Sequence, residues 1–399
     1  MSSARLGKRS GVVFFSGGSA LTGLARVFAE SGVHATHVIA VFDDGGSAGR
    51  LRDACGGIAI GDIRKRLIAI GDRATTATRS VIELLQARLP ARGPMRAARA
   101  IVEGLASGTD TSLRSVPPRM ATDISRAMAH ILEALPASFE WRDASVGNLI
   151  LAGRYRQCGD WGTVLQWAQC AVSACGTVLP VSTTGAHLGA RLANGRYVRG
   201  QSAITDETTP IESPIDRLEL YQPARSGPAT DGVSAHAPTL QEIANGRSIV
   251  YAWGSFYTSL LCSLLVPGIA TALAASSAPK ILLLNPFVDA ETVGGQPHEL
   301  VQELCRYGAG ANGNRAGRLL THVLALRLAG GARPGLYDAC HRARLEALGI
   351  RVVEVEARGI PRGAELRAVM DHLLALSRTG RTDNAVGRSP RSADPACGR

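Results

Sequence analysis

Lysine is almost missing from this chain of 399 residues. Only Lys8, Lys65 and Lys280 are lysines, so 44 basic residues less 3 leaves 41 arginines. The formal charge of +11 is therefore an arginine charge, and part of it sits near the ends, around Arg5, Lys8 and Arg9 and from Arg378 to Arg399. Aromatic residues are scarce as well, at 5%. No basic stripe is interleaved with them, so the stacking and cationic surface of a nucleic-acid binder is not legible, and nucleic acid is not an expected partner. The eight cysteines include no pair at the two-residue spacing of a zinc knuckle. Most lie in apolar segments, where a reduced cysteine packs as a small hydrophobe, and this fits a cytoplasmic protein. Long hydrophobic runs are absent too. The most apolar stretch, SLLCSLLVPGIATALAA, is broken by Pro267-Gly268 and falls short of the ~18 residues that span a bilayer. The run Val12 to Phe15 after the basic start is too short for a signal peptide. A soluble protein with no membrane partner is expected.

What is present is enough apolar residue, 45%, to bury a sizeable core. The length suggests one large α/β unit with insertions, or two domains. GVVFF at 11–15 is an apolar run that stops at Ser16-Gly17-Gly18-Ser19, and Leu21, Leu24, Val27 and Phe28 behind it share one helical face up to Gly32. THVIAVF at 36–42 is a second buried strand. Strand, glycine loop, helix and strand make a βαβ unit and point to an α/β fold with a parallel sheet and helices on both faces.

The pattern divides the chain into a flexible tail (1–10), an α/β domain (11–378) and a disordered tail (379–399). Within the domain, 74–140 reads as a helical insertion and 176–224 as a small appended β-rich region, TVLPVS included, with an Asn194-Gly195 hairpin signal. Further strands are expected at 248–253, 280–285, 318–326 and 351–357, with helices between them.

Four stretches carry chemistry. SGGSALTG at 16–23 places Gly17, Gly18 and Ser19 between a strand and a helix, where free amides and the helix dipole suit a phosphate; tight packing alone would also use these glycines. AWGSFYTSLL at 252–261 repeats the arrangement with Gly254, Ser255, Thr258 and Ser259, although serine and threonine are also common helix N-caps. VFDDGGSAGRLRD ends an apolar run on Asp43 and Asp44, and Asp62 follows in GDIRKRL. Adjacent carboxylates repel unless a cation or a donor intervenes. Strand alternation would send Asp44 into the cleft and Asp43 away from it, with Mg²⁺ bridging Asp44, Asp62 and phosphate oxygens. The alternative is that Asp43 caps a turn and Asp44 pairs with Arg50 or Arg52. Finally, Asn148 in DASVGNLILAG is a polar residue in an apolar helix; it either reaches a ligand or makes a helix-start hydrogen bond.

Taken in order, the N-terminal glycine loop, VFDDGGSAGRLRD, GDIRKRL, SVGNLILA, GSFYTSLLCSLLVPGI and KILLLN resemble the 2-phospho-L-lactate transferase (CofD) family and its YvcK-like gluconeogenesis factor relatives, over about 11–73 and 143–357. The resemblance implies a Rossmann-like parallel sheet with a smaller appended region and a nucleotide-linked ligand, GDP- or UDP-linked, across the strand ends. In the transferase branch phospholactate passes from a guanylyl-linked donor to a deazaflavin alcohol with Mg²⁺ as cofactor; in the YvcK-like branch the ligand is a UDP-sugar and the role is regulatory. It further implies Asp44 and Asp62 as catalytic and metal-binding, Asn148 in the GNL element, and Gly254, Ser255, Thr258 and Ser259 as a phosphate-binding loop. The chain departs from the family at Ala252-Trp253, where Gly-Pro is usual, and in its N-terminal loop, and GGSAGRLR is closer to the YvcK-like side. A homodimer is compatible with this reading.

Overall fold

Strand β1 (Val12–Ser16) carries a run with no polar alternation, the pattern of a strand covered on both faces. The computed structural model describes residues 11–222, 232–286, 289–293, 295–309, 319–328 and 337–379, and in it all five residues of β1 are buried. Helix α1 (Thr22–Glu30) returns the chain to β2 (Ala35–Ile39), which lies parallel to β1 with Phe14 opposite His37. Next come α2 (Gly46–Cys55) and α3 (Gly61–Ile70), then α4 (Thr76–Gln86), α5 (Met95–Ser107) and α6 (Pro118–Ala134). Helices α7 (Val146–Cys158) and α8 (Trp161–Ala171) lead to β3 (Thr177–Pro180). A small antiparallel sheet follows, from β4 (His187–Leu192), β5 (Tyr197–Arg199) and β6 (Ile215–Tyr221), with the short α9 (Gln201–Ile204) between the last two.

The α/β alternation then resumes with α10 (Ala237–Asn245), β7 (Ser248–Tyr251), a wide helical turn at Phe256–Leu261 that continues as α11 (Cys262–Leu264), α12 (Ile269–Ala275) and β8 (Lys280–Leu283). It ends with α13 (Pro297–Ala309), β9 (His322–Leu328), α14 (Ala339–Ala347), β10 (Arg351–Ala357) and α15 (Ala364–Thr379). The seven-stranded sheet has the order β10-β9-β8-β7-β1-β2-β3, and all its pairings are parallel. This is the expected Rossmann-like α/β architecture. Val12 and Phe14 pack with α1 and α15 on one side; Val13 and Phe15 belong to the larger cluster on the other, which includes residues of α3, α4, α6 and α7.

One strand moves from its expected place. TVLPVS contributes β3 to the edge of the parallel sheet, paired with β2, and not to the appended β region. Its residues Val178 and Leu179 are buried, and Pro180, which has no amide to donate, is tolerated because β3 is an edge strand. The inner residues Leu188, Ala190, Leu192, Val198, Leu218 and Leu220 of the small sheet join the larger core cluster. The tails expected at 1–10 and from 379 onward fall outside the described residues, apart from Thr379 at the end of α15. No single helix among the described residues is long and apolar enough to cross a membrane.

Candidate functional site

The strand order reverses between β1 and β7: β1 leads to β2 and β3 on one side, and β7 to β8, β9 and β10 on the other. In open parallel sheets the crevice outside the carboxyl ends at such a point is where ligands bind. Here β1 delivers Gly17 and Gly18, and β7 delivers Gly254 and Ser255. A Cβ on Gly17 would stand 2.6 Å from Ser259 Oγ, and one on Gly18 would stand 2.2 Å from Asp62 Oδ1 and 2.8 Å from Lys65 Cδ. Gly254 has φ +143°, a conformation that suits glycine, and its Cα side faces Ser259 and Ala20. The structure thus brings Gly17, Gly18, Asp62, Gly254 and Ser259 together. Ser19 lies exposed at the rim, where its carbonyl accepts the Thr22 amide at 3.1 Å.

Underneath the first loop lies Arg66 of α3, fully buried. Its Nη2 donates to Gly17 O at 2.9 Å and to Ser16 Oγ at 3.2 Å, while Nε and Nη1 have no partner. Burial lowers its pKa to about 10, with the Asp62 charge acting against that shift. Above the loop, Lys65 Nζ donates to Asp62 Oδ1 at 3.0 Å; the lysine side chain is 43% exposed and the aspartate 19%. Neither cation was singled out from sequence. The available signal was the scarcity of lysine, since Lys65 stands beside the glycine loop in a chain that otherwise uses arginine.

The paired aspartates diverge, but not in the expected directions. Strand β2 ends at Ile39, so 40–45 is not extended strand and alternation does not govern it. Asp43 Oδ1 accepts the Gly45 amide at 2.8 Å and turns the chain, as the turn-capping alternative expected. Burial raises the Asp43 pKa, the Gly45 hydrogen bond opposes this, and Asp62 and Lys65 are the next charges it feels. Asp44 Oδ1 instead accepts the Ser202 amide at 2.8 Å, at the start of α9, and so ties the small sheet to this loop. Neither arginine pairs with Asp44: Arg52 donates to the carbonyls of Phe42, Asp43 and Ala186, and Arg50 to that of Arg142.

Asn148 is buried between helices. Its Oδ1 accepts from Arg64 Nε at 2.9 Å and its Nδ2 donates to Ser47 Oγ at 3.2 Å, which joins α2, α3 and α7. Thr258 is committed too. Its amide and that of Tyr257 both donate to Glu291 Oε2 at 3.0 Å, and its hydroxyl donates to Glu291 Oε1. Asp289 Oδ2 accepts the Phe256 amide at 3.1 Å. The amides that a phosphate would use at this helix start are therefore held by two carboxylates from the segment after β8, a feature that residue spacing did not reveal. Asn285 completes the brace by accepting from Gly254 N at 3.3 Å and donating to Gly254 O at 2.8 Å. Gly254, Ser255 and Ser259 remain half-buried beside Gly17.

Among the described residues no group of three or more His, Cys, Asp or Glu side chains forms a metal cage. Mg²⁺ commonly binds through one or two carboxylates plus phosphate and water. Asp62 fits that smaller requirement, while Asp43 and Asp44 each have Oδ1 taken by a backbone amide, of Gly45 and of Ser202 respectively.

The family model described as 2-phospho-L-lactate transferase CofD matches residues 12–355. The gluconeogenesis factor of Bacillus subtilis is 27% identical over 280 residues, covering 70% of this chain and 69% of that protein. The gluconeogenesis factor of Halalkalibacterium halodurans is 28% identical over 278 residues, 70% of this chain and 67% of that one. A relative from Deinococcus radiodurans, named "Putative gluconeogenesis factor", is 28% identical over 297 residues; these are 74% of this chain but 50% of that protein, so the match spans about half its length. A crystal structure of a UPF0052 family protein from Bacillus halodurans superposes with a TM-score of 0.69 at 23% identity, over 92% of this chain and 99% of that one, and shows the same fold.

Proposed function

The chain belongs to the 2-phospho-L-lactate transferase CofD family, and from that premise we propose that it is a transferase that moves a phosphoryl-linked group of the 2-phospholactate type from a nucleoside-diphosphate-linked donor to an acceptor hydroxyl. The observation that carries the reading is the convergence of Gly17 and Gly18 with Gly254 and Ser259 where the strand order reverses. The backbone of the first loop and the buried Arg66 guanidinium at that point suit a diphosphate, while the amides of Phe256, Tyr257 and Thr258 are held by Asp289 and Glu291. In this reading the acceptor oxygen bonds to the phosphorus that carries the transferred group. The bond from that phosphorus to the bridging oxygen breaks, a nucleoside monophosphate leaves, and the hydroxyl proton passes to a carboxylate. Asp43, whose pKa is raised by burial, is the carboxylate assigned to that proton in this reading. Mg²⁺ held by Asp62 would neutralise phosphate charge. Cys55, Cys158, Cys170, Cys262 and Cys340 are free thiols, which supports a cytoplasmic site of action as part of the same proposal.

A second reading, a nucleotide-sugar-binding regulator without turnover, is favoured by the names of the relatives. A thermal-shift panel of GDP, GTP, UDP-sugars and deazaflavins, with and without Mg²⁺, tests binding; a ligand at ~100 times its Kd adds about 2.7 kcal/mol. Phosphorus NMR of the bound pair then separates the readings. The transferase releases a nucleoside monophosphate only when a hydroxyl acceptor is present; a regulator binds and releases nothing. No stabilisation by any nucleotide would overturn both.

A further inference from the structure

We propose that Lys65 is a phosphate-binding residue which exchanges its ion pair with Asp62 for the ligand's phosphate, so that the glycine-loop site binds a diphosphate before any divalent cation and leaves the Asp62 carboxylate free for the Mg²⁺ of the transfer step. The inference rests on the reading of Gly17 and Gly18 as a phosphate site and adds to it the identity and behaviour of the cation.

Three independent observations meet at this residue. The first is placement. The Lys65 stem lies so close over Gly18 that a Cβ there would stand 2.8 Å from Cδ, and its ammonium rests 3.0 Å from Asp62 Oδ1. The Lys65–Asp62 pair thus covers the same backbone whose approach to a ligand the glycines permit. The second is the charge beneath the loop. Arg66 is fully buried, holds Gly17 O from below, and keeps Nε and Nη1 without partners. The charge that opposes its lowered pKa is that of Asp62, the same carboxylate that Lys65 uses. Among the described residues Lys65 alone is ion-paired to that carboxylate, and the buried Arg66 guanidinium with its unused donors is costly until an anion arrives. A phosphate on the loop supplies the missing negative charge to both.

The third is composition. Among 41 arginines and 3 lysines, the cation above the loop is a lysine. Lys280 is buried against the carbonyls of Ser276 and Ala278, so Lys65 is the one partly exposed lysine among the described residues. An ammonium on a flexible stem can leave a carboxylate for a phosphate at little cost, whereas a guanidinium fork would hold Asp62 through two bonds. The exchange needs a side-chain rotation, and at 43% exposure Lys65 has the freedom to make it.

The test is isothermal titration with inorganic pyrophosphate, in EDTA and in Mg²⁺, on the full chain and on Lys65→Met and Asp62→Asn. The full chain is expected to bind pyrophosphate in EDTA, Lys65→Met to bind at least about tenfold more weakly, and Asp62→Asn to bind more tightly because the ammonium is released. Opposite effects from the two halves of one ion pair are what a purely structural bridge would not produce. Thermal midpoints of both variants, with Lys65→Gln as a milder form, confirm that each is folded. Unchanged binding in Lys65→Met and Lys65→Gln, or binding by the full chain only with Mg²⁺, overturns the exchange while leaving the phosphate site in place. No pyrophosphate binding under either condition overturns the glycine-loop reading itself, and the exchange with it.

Discussion

Replacing Glu291 by glutamine isolates the carboxylate that holds the helix start after β7. Glu291 is 1% exposed and accepts from the amides of Tyr257 and Thr258 and from the Thr258 hydroxyl. Burial, reinforced by the charge of Asp289, raises its pKa from 4.5 to about 7. An acid whose folded pKa lies above its unfolded value binds an extra proton in the folded state between the two. Stability from this group is therefore complete below about pH 4.5 and is lost as the pH rises through about 7. At about 1.4 kcal/mol per pH unit, the loss at alkaline pH is about 3 kcal/mol. Glutamine mimics the protonated acid: its oxygen accepts both amides, and its amide can donate to the Thr258 hydroxyl. Glu291→Gln should leave the midpoint nearly unchanged at about pH 4 and raise it at about pH 8 by about 3–4 °C, taking ~2.1 cal/mol/K of unfolding entropy per residue. Calorimetric melting at the two pH values checks this. A variant that is less stable than the parent at about pH 8 would show that the ionised carboxylate is the stabilising form, and would refute the argument.

Gly153→Leu should lower the thermal midpoint, because a Cβ at 153 would meet Ala127 O at 1.9 Å and force α7 off α6, at a cost of about 1–3 kcal/mol; an unchanged midpoint would mean that the two helices separate freely. Asp44→Ala should cost about 1 kcal/mol through the lost Ser202 hydrogen bond and speed proteolysis around α9, as read by timed digestion, whereas Asp44→Asn, which keeps an acceptor oxygen, should not.

The main sheet was legible because its strands are buried on both faces and so read as unbroken apolar runs, VVFF, THVI, SIVY and KILL among them. TVLPVS was assigned to the wrong sheet, since an edge strand with a proline looks like part of the polar hairpin region that follows it. The two glycine loops were legible as separate motifs, but their meeting depends on β1 lying beside β7, which no local pattern states. GDIRKRL looks like a solvated charge run. In the fold Asp62, Lys65 and Arg66, at i, i+3 and i+4, share the face of α3 turned to the glycine loop, with the Lys65–Asp62 pair partly exposed and Arg66 fully buried, a difference set by packing partners that the sequence does not show. Asp289 and Glu291 escaped notice for the same reason, since their partners lie about thirty residues earlier. A basic and aromatic surface also appears only on folding: Arg199 lies over Tyr197 and Tyr221, and Arg191 over Tyr197, on the outer face of the small sheet.

The central claim is that the loops after β1 and β7 form one phosphate-binding cleft, and equilibrium titration of GDP and UDP into the parent chain and Ser255→Asp tests it most directly. Ser255 is the N-cap of the helical turn after β7 and makes no side-chain capping bond, so none is lost on its replacement, and the thermal midpoint of Ser255→Asp checks that the fold is retained beside Asp289 and Glu291. If the proposed cleft holds phosphates, the new carboxylate would add a like charge beside them. The account predicts that the parent binds at least one of the two nucleotides and that Ser255→Asp weakens this at least about tenfold, since a like charge in a half-buried site costs more than ~1.4 kcal/mol. Equal affinity in the two proteins would contradict it.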